Sequence, residues 1–262
     1  MTGASSGIGA AIADELAGAG YRVFGTGRKA SGQRPSGVEL VPLDVTLSDS
    51  VASCVDEVMR RAGRIDVLVN NAGYLLSGAI EDASLEEARA VFETNFFGIV
   101  RMVHAVLPSM RAAGSGKIIN MSSLEGMVPV PFWGFYNASK FAVEGYTETL
   151  RLELEPLGIR VAMVEPGAIR TPLYAAPHPT GLAVYSPWRE RALKTMKGFE
   201  DKAPGPELVA RVVARLVADA KPALRNRVTR EAWLFPLLRW LLPARAFEFG
   251  LRAGFNLDKK GY

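Results

Sequence analysis

Tyr136 and Lys140 stand four residues apart in Tyr136-Asn137-Ala138-Ser139-Lys140, at the start of a helical pattern. That spacing puts both side chains on one helix face. An ammonium beside a phenol favours the phenolate, which makes Tyr136 usable as a general acid or base near neutral pH. Ser123 lies thirteen residues before Tyr136, at the end of the run Ile118-Ile119-Asn120-Met121-Ser122-Ser123. A serine at the carboxyl end of a parallel strand faces the ligand crevice. There its hydroxyl can bond a substrate carbonyl and stabilise developing charge. Ser122 is the alternative at this place, with turn capping as its other role.

A second group of residues suits a phosphate. Gly3, Gly7 and Gly9 are spaced G-x3-G-x-G at the head of the chain. Such a turn lets the backbone pass close to a pyrophosphate, and the helix that follows presents free N–H groups to the anion. Ser5 and Ser6 add hydroxyls, and Ile8 sits between the last two glycines. The spacing is a variant of the G-x-G-x-x-G dinucleotide fingerprint rather than a match to it. The next apolar run ends Thr26-Gly27-Arg28-Lys29. An acid at that end would bind the ribose hydroxyls of NAD; Gly27 stands there instead. Arg28 suits a 2′-phosphate and can stack on adenine, so NADP(H) is the expected cofactor. Ser6, just before Gly7, is not basic, and the preference rests on Arg28 alone.

These residues need a frame that brings strand ends together. Short β-branched runs alternate with longer helical patterns, the signature of βαβ units and an α/β, doubly wound, Rossmann-type sheet with helices on both faces. Strands are expected at Tyr21–Thr26, Val38–Pro42, Asp66–Asn70, Lys117–Met121 and Ile159–Val164. Helices are expected at Ile8–Ala19, Ser48–Ala62, Leu85–Ala112, Asn137–Leu157 and Pro206–Ala220. The whole chain, 1–262, reads as one catalytic domain. It carries a proline-rich, partly helical insertion at about 170–206 and an apolar extension at about 231–256. A dinucleotide turn should follow a central strand, yet only Met1 and Thr2 precede this one. The first strand is therefore expected to be truncated.

Composition narrows the function. Apolar residues make up 48% of the 262, enough for a sizeable core, and the net charge of +4 is mild. Arg225, Arg227 and Arg230 form the nearest thing to a basic cluster, and a solvated surface is the expected role rather than a nucleic-acid patch. One cysteine, Cys54, and two histidines, His104 and His178, leave little material for a metal centre or a Ser-His-Asp triad. Met1 leads straight into the glycine turn, which is not a secretory pattern, and the cytoplasm is the expected compartment. No uninterrupted apolar run reaches the roughly 18 residues of a spanning helix.

In combination, Thr2-Gly3-Ala4-Ser5-Ser6-Gly7-Ile8-Gly9, Asn70-Asn71-Ala72-Gly73, Asn95, Ser123, Tyr136 with Lys140, and Pro166-Gly167 followed by Thr171 resemble the short-chain dehydrogenase/reductase family. The resemblance runs from residue 2 to about 172, in the family's order and at its distances. It implies that Ser123 positions the substrate oxygen, Tyr136 transfers the proton, and Lys140 binds the nicotinamide ribose and lowers the tyrosine pKa. It further implies that Asn95 holds a water in a proton relay. Asn71, Ala72 and Gly73 would border the cofactor, Asp44 and Val45 would contact adenine, and Ile169 and Thr171 would hold the carboxamide. Pro166 and Gly167 would line the same site. Read from the residues alone, Asn95 can equally be a buried, satisfied polar group, Asp44 a turn residue, and Asn70 and Asn71 strand ties.

Phe132, Trp133 and Phe135, with Tyr174, Tyr185 and Trp188 in the insertion, give the substrate side an apolar, aromatic character. A hydrophobic ketone or secondary alcohol is the expected substrate, and the stretch Tyr136–Gly145 is similar to steroid- and retinol-acting members. The apolar tail is expected to pack within the protein or its oligomer, a homo-dimer or homo-tetramer, ahead of peripheral membrane contact. The competing function is a non-catalytic NADP(H)-binding regulator or redox sensor on the same fold. It would be expected to have lost one of Asn95, Ser123, Tyr136 or Lys140.

Overall fold

A computed structural model describes residues 1–171 and 181–258. Tyr174, His178 and the other residues of 172–180, near the start of the expected insertion, lie outside the described residues. Strands β1 (Phe24–Gly27) and β2 (Glu39–Pro42) pair in parallel. Strands β3 (Val67–Asn70), β4 (Gly116–Met121), β5 (Ile159–Glu165) and β6 (Arg225–Arg227) form a second parallel sheet in that order.

Met1–Ala4 fills the space between the two sheets. Thr2 N–H donates to the Val69 carbonyl at 2.9 Å. On the other side, Thr26 N–H donates to Met1 O at 3.0 Å and Ala4 N–H to Thr26 O at 2.8 Å. The central strand expected to be truncated is thus very short, and its backbone groups are paired on both sides. The hole that a missing strand would leave is closed.

Helices cover both faces. On one, α2 (Ser48–Ala62), α4 (Gly98–Ala113) and α5 (Gly134–Leu154) bury Val51, Val55, Val103, Val106 and Val143 against Ile118, Ile159 and Val161. On the other, α1 (Gly7–Gly18) and α7 (Glu207–Ala218) bury Ile12, Ala13, Val209 and Val213 against Val69, Ile119 and Val164. Strands buried on both faces explain the near-continuous apolar runs.

Three differences from the expectations matter. The expected helix Leu85–Ala112 is α3 (Leu85–Phe92) joined to α4 by a π turn, Glu93–Phe97. The insertion, expected to be partly helical, contains α6 (Ser186–Asp201), and the apolar tail folds as α8 (Arg230–Leu241) and α9 (Ala244–Gly254). The arginines expected on a solvated surface lie partly inward: Arg225 and Arg227 form β6 and pair with Glu165, whose side chain is wholly buried. The tail is split in character. Ala232, Phe235, Phe247 and Leu251 pack onto Leu124 and Val128, while Trp233, Leu237, Trp240 and Phe249 are exposed.

Candidate active site

The loops at the carboxyl ends of the strands enclose one cleft of about 1080 Å³. It runs from the glycine turn, past Arg28, Asp44 and Val45, to Ser123, Tyr136 and Lys140. Gly3, Ser5, Ser6, Gly7, Ile8 and Gly9 line one end, Asn71, Ala72 and Gly73 the floor, and Pro166, Gly167, Ile169 and Thr171 the opposite wall. Of the residues expected at the site, Asn95 stands outside this lining.

The glycine turn is tight for a physical reason. Gly3 and Gly7 have φ of +68° and +55°, a region that glycine enters without a Cβ penalty. A Cβ on Gly9 would sit 2.0 Å from the Gly3 carbonyl oxygen. Asn71 ties the turn to the end of β3: its Nδ2 donates to Gly3 O at 3.0 Å and to Thr2 O at 3.2 Å. The Thr2 hydroxyl accepts from the N–H groups of Asn71 and Ala72. The first turn of α1, Gly7-Ile8-Gly9-Ala10, has no acidic side chain. Its free N–H groups and positive dipole end therefore face the cleft unopposed. A cradle that a single Cβ would fill, at a helix N-terminus, with the exposed Ser5 and Ser6 beside it, fits a pyrophosphate. The continuous cleft fits the rest of a dinucleotide.

Asp44 accepts from Thr46 N–H at 2.9 Å and Thr46 Oγ1 at 2.7 Å. Those bonds hold its carboxyl below the usual carboxylate range. It is both a turn residue and part of the cleft wall. Arg28 is exposed at the cleft edge.

At the chemical end, α5 carries both functional side chains. Lys140 Nζ donates to the Met121 carbonyl at 2.8 Å and lies 5.7 Å from the Tyr136 ring centre. Burial brings the lysine down to about 8, while the carboxyls of Glu125 and Glu144 pull the other way. Trp133 meets Tyr136 edge to face, with 6.0 Å between ring centres. Ser123 Oγ donates to a carboxylate oxygen of Glu125 and lies 3.3 Å from Pro166 O. Ser122 turns the other way and donates to Glu144. Both serines remain on the cleft wall, but their partners differ.

Asn95 sits in the π turn, fully buried. Its Nδ2 donates to Tyr74 O at 3.0 Å and to Ser139 Oγ at 3.1 Å, and its Oδ1 accepts from Tyr74 N–H at 3.0 Å. Ser139 Oγ in turn donates to Tyr136 O at 2.7 Å. The asparagine thus braces the helix start that bears the tyrosine. Asn70 Nδ2 donates to Asn120 Oδ1, and Asn120 Nδ2 to Thr147 Oγ1, which ties β3 and β4 to α5.

Glu125 and Met196 belong to the cleft and were not singled out from the sequence. Glu125 carries no periodic or spacing signal; it is buried in the Leu124–Gly126 turn, whose Leu124 packs on Ala232 of α8. Of the expected aromatic wall, Trp133 lines the cleft, joined by Leu75 and Met196. Phe132 packs behind it. Tyr185 is drawn away, donating to Glu81 at 2.9 Å.

A Rossmann-type sheet whose crevice holds a glycine turn at one end and a serine, tyrosine and lysine at the other defines a nicotinamide-dependent oxidoreductase of CH–OH/C=O pairs. The chain belongs to the short-chain dehydrogenase/reductase family, whose model, described as short chain dehydrogenase, matches residues 1–180. It is 40% identical to 3-ketodihydrosphingosine reductase of Bacteroides thetaiotaomicron, over 96% of this chain and 95% of that protein. It is 37% identical to retinol dehydrogenase 8 of Bos taurus, over 87% and 80%. Among solved structures, a short-chain dehydrogenase from Streptomyces avermitilis superposes with a TM-score of 0.81 at 33% identity, covering 99% of this chain and 97% of the other.

Proposed function

We propose that this protein is an NADP(H)-dependent reductase or dehydrogenase of hydrophobic ketones and secondary alcohols, with Tyr136 as general acid or base. The observation that carries the reading is the placement of Ser123, Tyr136 and Lys140 on one cleft with the glycine turn. The bound cofactor supplies or accepts the hydride. The rest is the chain's own work. Ser123 holds the substrate oxygen, and Tyr136 gives it a proton in reduction or takes one in oxidation. The buried Lys140 cation favours the phenolate form and so eases that transfer. Asn95 spends its carboxamide on Tyr74 and Ser139, so a water in the relay would meet its main chain, in the widened turn.

Two observations support an apolar substrate. Leu75, Trp133 and Met196 line the cleft beside Tyr136, and the relatives above are named for a ketosphingoid and a retinoid. Arg28, with Gly27 in place of an acid, supports NADP(H). The test is a panel of 3-keto sphingoid bases, retinal, steroid ketones and sugars, each run with NADPH and NADH. Turnover of the apolar ketones with NADPH is expected. Activity confined to sugars, or a preference for NADH, overturns the corresponding half of the reading.

A further inference from the structure

Glu125 is a carboxyl in the cleft wall with no part in the mechanism above. It sits two residues after Ser123 in a short turn and is 6% exposed. On either side of it, Leu124 and Val128 pack against Ala232 of α8. Its bond to Ser123 Oγ is the serine's closer contact; the alternative acceptor, Pro166 O, is 3.3 Å away.

A serine hydroxyl has one proton to give and two lone pairs to receive with. When Glu125 is a carboxylate, that proton is committed to it by a charge-assisted bond. Ser123 then shows the cleft only lone pairs, which suit the hydroxyl of an alcohol. When Glu125 is protonated, the carboxylic acid donates to Ser123 Oγ and the serine's proton is released. Among the described residues, the 3.3 Å contact to Pro166 O is what competes for it, and a ketone oxygen in the cleft is the better acceptor.

We propose that Glu125 is a positioning residue that sets the direction of the Ser123 hydroxyl, so that ketone binding selects the protonated carboxyl and alcohol binding the carboxylate. This rests on the reading of Ser123 as the residue that holds the substrate oxygen. The proton on Glu125 is not consumed. It is taken from solvent when a ketone binds the ionised form, and returned when the site next favours the carboxylate. The proton added to the product oxygen comes from Tyr136.

The surroundings pull the Glu125 carboxyl in both directions. Burial pushes the Glu125 carboxyl up from its ordinary value, and so does Glu231 at the start of α8. The Ser123 bond and the Lys140 ammonium pull it down. Glu144 of α5 is the other carboxyl acting on Lys140, and Tyr136 stands on the same helix.

The experiment measures KM and kcat for a ketone and for its alcohol, from about pH 5 to about pH 9, in wild type, Glu125→Gln and Ser123→Ala. In wild type the KM for the ketone should rise with pH and that for the alcohol should fall. Each change should be about three- to tenfold, the worth of one hydrogen bond. Glu125→Gln should flatten both KM profiles, while the limb of kcat set by Lys140 moves to lower pH, because a carboxylate that holds the lysine up is gone. Ser123→Ala should flatten KM as well, and adding Glu125→Gln to it should change KM no further. That non-additivity distinguishes positioning from a structural role and holds even if the glutamine variant is less stable. Superimposable KM profiles in wild type and Glu125→Gln, or fully additive losses in the double variant, overturn the proposal. If wild type turns over no carbonyl at all, the functional reading itself fails, and this inference falls with it.

Discussion

The Lys140 ammonium donates to the Met121 carbonyl across 2.8 Å, which pins the start of α5 to the end of β4. The bond does two things. It satisfies a buried cation that would otherwise be costly, and it fixes the cation 5.7 Å from the Tyr136 ring. Removing the phenol hydroxyl and removing the cation should therefore differ. Tyr136→Phe should lower kcat by about 10²- to 10⁴-fold, the range of general acid–base catalysis, with NADPH affinity nearly unchanged by fluorescence titration. Lys140→Met should lose turnover and weaken cofactor binding together. Turnover retained in Tyr136→Phe would refute the mechanism.

The glycine turn makes a sharper geometric claim. A methyl on Gly9 would meet the Gly3 carbonyl at 2.0 Å, and neither backbone can move without disturbing the Asn71 bonds to Thr2 and Gly3. Gly9→Ala should cost about 1–3 kcal/mol of stability, as overpacking does, and weaken cofactor binding severalfold. Gly18→Ala, at a helix end where a Cβ meets open space, is the control and should be neutral or slightly stabilising. Equal effects at the two positions would show that the turn is not tight.

Much of this site could be read in the sequence because its residues sit on turns at strand ends, where type and spacing are dictated by the backbone. Gly3, Gly7 and Gly9, Asn71 and Tyr136 with Lys140 are of this kind. What could not be read depends on distant packing. Arg225 looks like a surface cation until β6 places it at 2.5 Å from Glu144 and Glu165. Glu125 looks like a loop carboxylate until the fold buries it. Pro236 inside α8 masked a helix that packing retains. The π turn at Asn95 is hidden for the same reason: the apolar period of Leu85–Ala112 passes through it.

Cofactor choice turns on the end of β1. A Cβ at Gly27 would have Ser5, at 3.4 Å, and Ala30, at 3.7 Å, as its nearest neighbours, which is ordinary contact, so a side chain can start there without a clash. Gly27→Asp should shift the ratio of kcat/KM from NADPH towards NADH, since a carboxylate there binds ribose hydroxyls and repels a 2′-phosphate. Arg28→Ala should raise the KM for NADPH and leave that for NADH unchanged. An equal loss for both cofactors in Arg28→Ala would remove the basis for the NADP(H) assignment.

Buried charges stand behind the site. Glu165 ends β5, and its carboxyl is pushed up to about 7 by burial and by Glu144, against the pull of Arg225 and Arg227. A carboxyl whose folded value lies above its ordinary 4.5 binds its proton more tightly in the folded state. Its contribution to stability is fully present below the ordinary value and is lost as pH rises towards the folded value. Wild type should therefore lose thermal stability between roughly pH 4.5 and pH 7, and Glu165→Gln should flatten that decline. Arg225→Met would leave Glu144 and Glu165 facing each other without their shared cation. The loss should be about 3–5 kcal/mol at pH 8, as for breaking a buried pair, and smaller near pH 5, where Glu165 holds its proton. Melting curves of the three proteins across this range decide the matter, and an Arg225→Met penalty that does not change with pH would show that Glu165 does not titrate in this window.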